Sequence, residues 1–80
     1  MIGFTKATAT NDGYCIFKYP SGFNNTNCVL LCVRYTNSSS KPKTESGTVV
    51  FYGNDFSVED ISVVHDTEVT AILLRYIISN

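Results

Sequence analysis

The stretch "CVLLCVRYT", residues 28–36, decides the fold of this 80-residue chain. It is dense in apolar and β-branched residues and is bounded on both sides by turn-forming residues, a pattern that predicts a β-strand. Because the run is apolar on both faces for most of its length, we expect it to be central in a sheet and covered on both sides. It is therefore the best candidate for the core.

Two of the three cysteines lie in this strand. In an extended segment Cys28 and Cys32 share one face at a separation of about 13 Å, whereas a disulfide needs Cα atoms within about 7 Å. The two cannot bridge each other, and Cys15 could pair with only one of them. The simplest interpretation is three reduced, mostly buried thiols and a reducing compartment. We expect no metal, because His65 is distant in sequence and there is no CxxC spacing.

Outward from this stretch, the remaining apolar runs are also short and bounded by turns. They predict strands at residues 3–8, 14–19, 47–52, 56–66 and 68–78. The last two runs leave an alternative open, since Ser57 could cap a short helical turn and residues 68–78 could form an amphipathic helix. Their β-branched content favours strands. Residues 37–46, which contain Pro42 and no apolar residue, predict an exposed, mobile loop.

These elements predict one all-β domain over residues 1–80, a small antiparallel β-sandwich or partly open barrel. No connection is long enough for a helical crossover, so neighbouring strands must be antiparallel. The formal net charge of −1 argues against nucleic acid as a partner. No apolar run approaches the ~20 residues that span a bilayer, so we expect no membrane insertion.

The segment "YPSGFNNTNC", residues 19–28, predicts a corner before the central strand. Pro20 suits the second position of a type I turn, which places Gly22 at the fourth. The short polar side chains that follow bond to their own backbone, which leaves Phe23 to fold inward as a plug. Direct ligand contact by Asn24 or Asn25 is the alternative.

Residues 19–35, "YPSGFNNTNCVLLCVRY", resemble the C-terminal tip domains of tail-fibre and related receptor-binding proteins of Firmicutes phages and prophages. The resemblance implies a β-structured domain, usually a homotrimer, at the distal end of a tail fibre. It implies binding to a carbohydrate or protein receptor on the host cell surface. The virion would be assembled in the bacterial cytoplasm.

Glycan sites combine aromatic faces with amide, carboxylate and amine groups, and they lie in loops at the end of a rigid scaffold. Two loops fit that chemistry, residues 37–46 and the turn around residues 52–55. Together they give the predicted ligand-binding residues Tyr35, Asn37, Lys41, Lys43, Tyr52, Asn54 and Asp55. No cofactor is expected.

Catalysis is not expected from this sequence. His65 and Asp66 are adjacent, so on a strand they point to opposite faces and cannot act as an acid–base pair. The cysteines lie on apolar strands, where a thiolate is disfavoured. The alternative to a receptor-binding tip is a non-catalytic structural, trimerisation or protein-interaction module of a phage particle.

Overall fold

Seven β-strands in two antiparallel sheets make up the fold of this computed structural model, which describes residues 1–38 and 40–76. The strands are β1 (Ile2–Thr8), β2 (Tyr14–Lys18), β3 (Cys28–Tyr35), β4 (Lys43–Glu45), β5 (Thr48–Phe51), β6 (Asp55–Glu59) and β7 (Glu68–Arg75). One sheet has the order β1-β7-β3-β4 and the other the order β2-β6-β5. The predicted all-β antiparallel sandwich is confirmed.

The core lies between the two sheets, where the inward-facing side chains of alternating positions meet. Phe17 of β2 and Phe56 of β6 are fully buried and stack with ring centroids 5.1 Å apart. Val33 and Leu73 of the four-stranded sheet are also fully buried. Each such side chain contributes about 1.5–3 kcal/mol when it leaves water, so this layer is the main source of stability.

The central strand β3 is covered on only one side. It lies between β7 and β4, as its apolar run predicts, but Val29 and Leu31 on the outer face are exposed. The expectation that both faces are covered is therefore wrong for the single chain. The reason is that no element packs on the outer side of the four-stranded sheet among the described residues.

A β-bulge in β3 changes the positions of its cysteines. The register against β7 shifts between Leu30 and Cys32, which leaves Leu31 as the extra residue. Because a bulge reverses the alternation of faces, Cys28 is buried in the core while Cys32 is half-buried on the outer side. The expectation that they share one face is wrong. All three cysteines are free, as predicted, and Cys15 and Cys28 are buried.

Three of the predicted segments, the strand 56–66, the loop 37–46 and the strand 68–78, can be compared with the strands of the structure. Strand β6 ends at Glu59 rather than at residue 66, because Asp60 takes a left-handed conformation with φ of 62° that interrupts extended backbone. Residues 37–46 are not entirely a loop, because they contain β4, which pairs with the end of β3. The sequence did not predict this strand because its residues show no alternation of apolar and polar side chains. Residues 68–75 form a strand and not a helix, while residues 77 and 78 lie outside the described part.

Candidate functional site

The predicted ligand-binding residues fall at opposite ends of the β5–β6 hairpin. Asn37 and Lys43 lie near the end where β6 finishes, since Asn37 bonds to the segment that follows β6. Tyr52, Asn54 and Asp55 lie at the other end, in the turn where β5 passes into β6. The structure therefore does not bring the two groups together within one chain.

Asn37 holds the loop after β6 in place. Its side-chain amide donates to the Ser62 carbonyl at 3.0 Å, and its Oδ1 accepts from the Val64 N–H at 3.0 Å. The Glu45 carboxylate accepts from the Ser62 N–H at 2.8 Å. These bonds replace strand pairing for a segment without regular structure. Asn37 thus has a structural role, which occupies the amide that a ligand would use.

The ring of Tyr35 belongs to the core and is only 3% exposed, so it offers no face to a sugar. Its hydroxyl lies buried near Glu45 and Ser62, without a hydrogen bond of acceptable geometry to either. Burial is the main cause that raises the pKa of Tyr35, and the neighbouring Glu45 carboxylate adds to it. At this end only Lys41 and Lys43 keep exposed side chains among the predicted residues.

The turn at the other end presents an aromatic ring on a defined backbone. Phe51 pairs with Phe56, and the Tyr52 N–H donates to the Asp55 carbonyl at 2.8 Å, which closes a tight hairpin around Gly53 and Asn54. Tyr52 is 52% exposed, and Gly53 and Asn54 are exposed beside it. Asp55 begins β6 and is half-buried. Tyr52 and Asn54 are therefore the predicted residues that remain accessible here.

The corner before β3 is fixed by its own side chains, as predicted. Oδ1 of Asn24 accepts from both the N–H and the hydroxyl of Thr26 at 2.8 Å. Asn27 accepts from the Asn24 N–H at 2.8 Å and donates to the Gly22 carbonyl at 3.0 Å. Phe23 is buried. Internal hydrogen bonds therefore hold the corner, and they occupy the Asn24 Oδ1 and the side-chain amide of Asn27.

The turn in this corner lies one residue later than the sequence predicts. The Phe23 N–H donates to the Pro20 carbonyl at 3.0 Å, so Ser21 and Gly22 are the central residues. Gly22 has a φ of 85° at the third position, which is the conformation of a type II turn and not of type I. The glycine therefore decides the turn, because it alone adopts that conformation without strain.

A single hydrogen bond joins this corner to the β5–β6 turn. The Tyr19 hydroxyl donates to the Tyr52 carbonyl at 2.6 Å, and the Tyr19 ring packs on Phe51 and Phe56 with centroids 6.3 and 5.4 Å away. We call residues 20–22 and 52–54 around this link, which are exposed except for the half-buried Pro20, the corner surface. It combines the Tyr52 ring with the small polar residues Ser21 and Asn54.

One polar pair was missed by the sequence analysis. The His65 ring places Nδ1 2.7 Å from Oδ1 of Asp12, and the same oxygen accepts from the His65 N–H at 2.9 Å. The pair is exposed and separated by 53 residues, so no local pattern could reveal it. It connects the β1–β2 turn to the segment before β7.

The hydrogen bonds of this pair shift both pKa values. Donation from the His65 backbone and then from its ring lowers the pKa of Asp12. The bond to Asp12, followed by the charges of Asp12 and Asp66, raises the pKa of His65. Each shift favours the charged form of its group. When His65 is protonated, the two side chains form an exposed ion pair.

The architecture defines an all-β domain of two antiparallel sheets. No family model, curated protein or solved structure matches the chain. Within residues 1–38 and 40–76, no group of three or more His, Cys, Asp or Glu side chains is arranged to hold a metal ion. In the same part of the chain, none of the elements is a helix of the length and hydropathy needed to span a bilayer.

Proposed function

We propose that this chain is a non-catalytic receptor-binding domain of the phage tail-fibre tip type, which attaches to a carbohydrate or protein on the host cell surface. The observation that supports the proposal best is the corner surface. It joins the segment that carries the family resemblance to a half-exposed aromatic ring through the bond between Tyr19 and Tyr52. The binding residues proposed are Tyr52 and Asn54, together with Ser21 of the turn that follows Tyr19.

The chemistry of this surface fits a neutral sugar. The exposed face of the Tyr52 ring offers apolar area to sugar C–H groups, and the Asn54 amide supplies both a donor and an acceptor. The ring sits on a backbone that is fixed by the Tyr19 hydroxyl and by the Asp55 carbonyl. A pre-ordered site loses less entropy when it binds.

Lys41 and Lys43 form no part of this proposed site, because they lie at the opposite end of the β5–β6 hairpin. The two ends could meet only between different subunits of an oligomer. The receptor is then predicted to be recognised by the aromatic and amide groups of one chain. Acidic substituents on the receptor are not required.

The test is binding of the purified chain to a glycan array, to purified cell-wall polysaccharide from Firmicutes and to intact Firmicutes cells. The Tyr52→Ala variant is expected to weaken binding at least about tenfold, which corresponds to ~1.4 kcal/mol. It leaves the bond from Tyr19 intact, because that bond ends on the backbone carbonyl of residue 52. Tyr52→Phe is expected to bind like the parent.

The control is the double variant Lys41→Ala with Lys43→Ala, which is expected to leave binding unchanged. The proposal is wrong if the parent binds neither the array, the polysaccharide nor the intact cells, or if Tyr52→Ala binds as well as the parent. Stable association with a protein, together with no binding to glycans or to intact cells, would support the alternative, a structural or protein-interaction module of the particle.

A further inference from the structure

The outer side of the four-stranded sheet carries a continuous set of apolar side chains. Ile2, Leu74 and Val29 are register partners on β1, β7 and β3. Phe4, Ile72 and Cys32 form the next row on the same three strands. Together with the bulge residue, we call these the outer apolar face: Ile2, Phe4, Val29, Leu31, Cys32, Ile72 and Leu74.

On the outer side of β1, β3 and β7, charged side chains lie at one end only, since Arg75 at the other end of β7 is opposite Cys28 on the inner side. Lys6, Thr70 and Arg34 make the row that follows Phe4, Ile72 and Cys32. Glu68 lies beyond that row, 3.9 Å from the Lys6 ammonium. The apolar rows themselves contain no charged group. A centre without charges and a polar rim are the anatomy of an interface between copies of a protein.

The sequence of β3 gives an independent reason to expect that its outer face is buried in an interface. Its run is apolar on both faces, a pattern typical of strands that are buried on both sides. Within the described chain, only the inner face is covered, and Val29 and Leu31 on the outer face stay exposed. A second molecule of the same chain would supply the missing layer, because its own outer face has the same composition.

The available area agrees with such a pairing. The exposed fractions are 46% for Ile2, 62% for Phe4, 44% for Val29, 45% for Leu31 and 36% for Leu74. With about 150–200 Å² for a fully exposed side chain of this size, the face presents roughly 400 Å² of apolar surface. Two copies would bury about 800 Å² of apolar area. At an apolar share of ~65%, the interface totals about 1,200 Å², the lower bound for specific complexes.

We propose that a second copy of this chain packs on the outer apolar face, so that the four-stranded sheets of two molecules lie face to face. One contiguous patch favours an isologous contact, in which the same residues of each copy meet. Phe4 and Leu31, which are the most exposed large apolar residues of β1 and β3, are the main contacts. This inference goes beyond receptor binding and does not depend on it.

The experiment measures the mass of the chain in solution by light scattering and native mass spectrometry up to about 100 µM, above the micromolar Kd of interfaces at the lower end of the size range. The parent is expected to have the mass of two copies, whereas the mass of three would overturn the isologous pairing. Phe4→Lys and, separately, Leu31→Lys are expected to raise the dissociation constant at least about tenfold. Both side chains point to solvent in the single chain, so folding should persist, as circular dichroism would verify.

The matched control is Ile16→Lys, an equally exposed apolar residue on the outer side of the other sheet. It is expected to keep the mass of the parent. A parent that stays monomeric at 100 µM overturns the proposal. So does an assembly that survives both lysine variants of the face, or one that Ile16→Lys disrupts equally. Loss of glycan binding by Tyr52→Ala changes none of these outcomes, so the two proposals fail separately.

Discussion

Gly3 of β1 lies directly against the ring of Phe23, so close that a Cβ at position 3 would be 2.5 Å from Cζ of Phe23. This contact places the corner before β3 on the first strand of the sheet. It explains why Phe23 is buried although it stands in a polar loop. In the sequence, position 3 has no feature that distinguishes it from other strand residues. In the structure it requires glycine, because Phe23, twenty positions away, leaves no room for a Cβ.

Gly3→Ala is expected to destabilise the fold by about 1–3 kcal/mol, because the buried ring has to shift to admit the methyl group. The measurement is the free energy of unfolding from denaturant titration. Gly53→Ala is the matched control, since an added Cβ there meets nothing within 4 Å, and it should be within ~0.5 kcal/mol of the parent. Equal stability of the two variants would contradict the tight contact.

Asn24→Ala is expected to lower the free energy of unfolding by about 1 kcal/mol. The Oδ1 of Asn24 accepts two hydrogen bonds from Thr26, and each bond contributes modestly at an exposed site. The neighbouring exposed residue gives the comparison: Asn25→Ala should change the free energy of unfolding little. The same denaturant titration measures both. If Asn25→Ala costs as much as Asn24→Ala, the corner is not held by the bonds described.

The pair Asp12 and His65 predicts a pH dependence with a defined sign. His65 has a pKa above 6.5, so its contribution to stability is complete below 6.5 and is lost as the pH rises through the folded-state pKa. Asp12 has a pKa below 3.8, so its contribution is present above 3.8 and is lost as the pH falls through the folded-state pKa. The pair therefore stabilises the fold most between about pH 4 and 6.5.

The chain contains a single histidine, so an NMR titration of the imidazole protons follows His65 without assignment. Asp12→Asn keeps an oxygen for the backbone N–H but removes the charge, and we expect the pKa of His65 to fall towards its ordinary value. The comparison variant Asp66→Asn should have a smaller effect, because its charge is a weaker cause of the shift. A parent that titrates at or below 6.5 would refute the pairing.

The three thiols are predicted to differ in reactivity. Burial raises the pKa of Cys15 to about 11 and also raises the pKa of Cys28, and a buried thiol is both protonated and inaccessible. Cys32 is only half-buried and lies on the outer side of its sheet. In dilute native protein at pH 8, Cys32 should therefore react first with iodoacetamide and Cys15 last, as peptide mass mapping would show.

Cys32→Ser should remove the fast phase of alkylation, while the same protein in denaturant should label its remaining thiols at similar rates. Fast native labelling of Cys15 would mean that the core between the sheets opens readily. Fast labelling of Cys28 but not of Cys32 would mean that the bulge in β3 does not reverse the faces as described.

Much of the fold follows from local patterns. The apolar run of β3 and the β-branched content of β7 predict strands that the structure confirms, because extended backbone favours such side chains wherever they are half-buried. Phe23 was correctly predicted as a plug. The strand β4 was not predicted, since its three residues are polar and it is held only by backbone pairing with β3.

The candidate site could be predicted less well than the fold. Tyr35 and Asn37 have the residue types of a sugar site, yet the ring of one is buried and the amide of the other supports the loop after β6. Whether a polar group is free for a ligand depends on its partners, and these lie elsewhere in the chain. Only Tyr52 and Asn54 stay accessible on a fixed turn.

By itself the sequence determined that this protein is built of short antiparallel strands with free thiols, because side-chain shape, turn chemistry and spacing act over a few residues. Tertiary structure alone decided that the β3 bulge separates Cys28 from Cys32, that Asp12 meets His65, and that the outer apolar face stays uncovered. Each of these depends on which strands become neighbours and in which register. That choice is made by packing across the whole chain, not by any local segment.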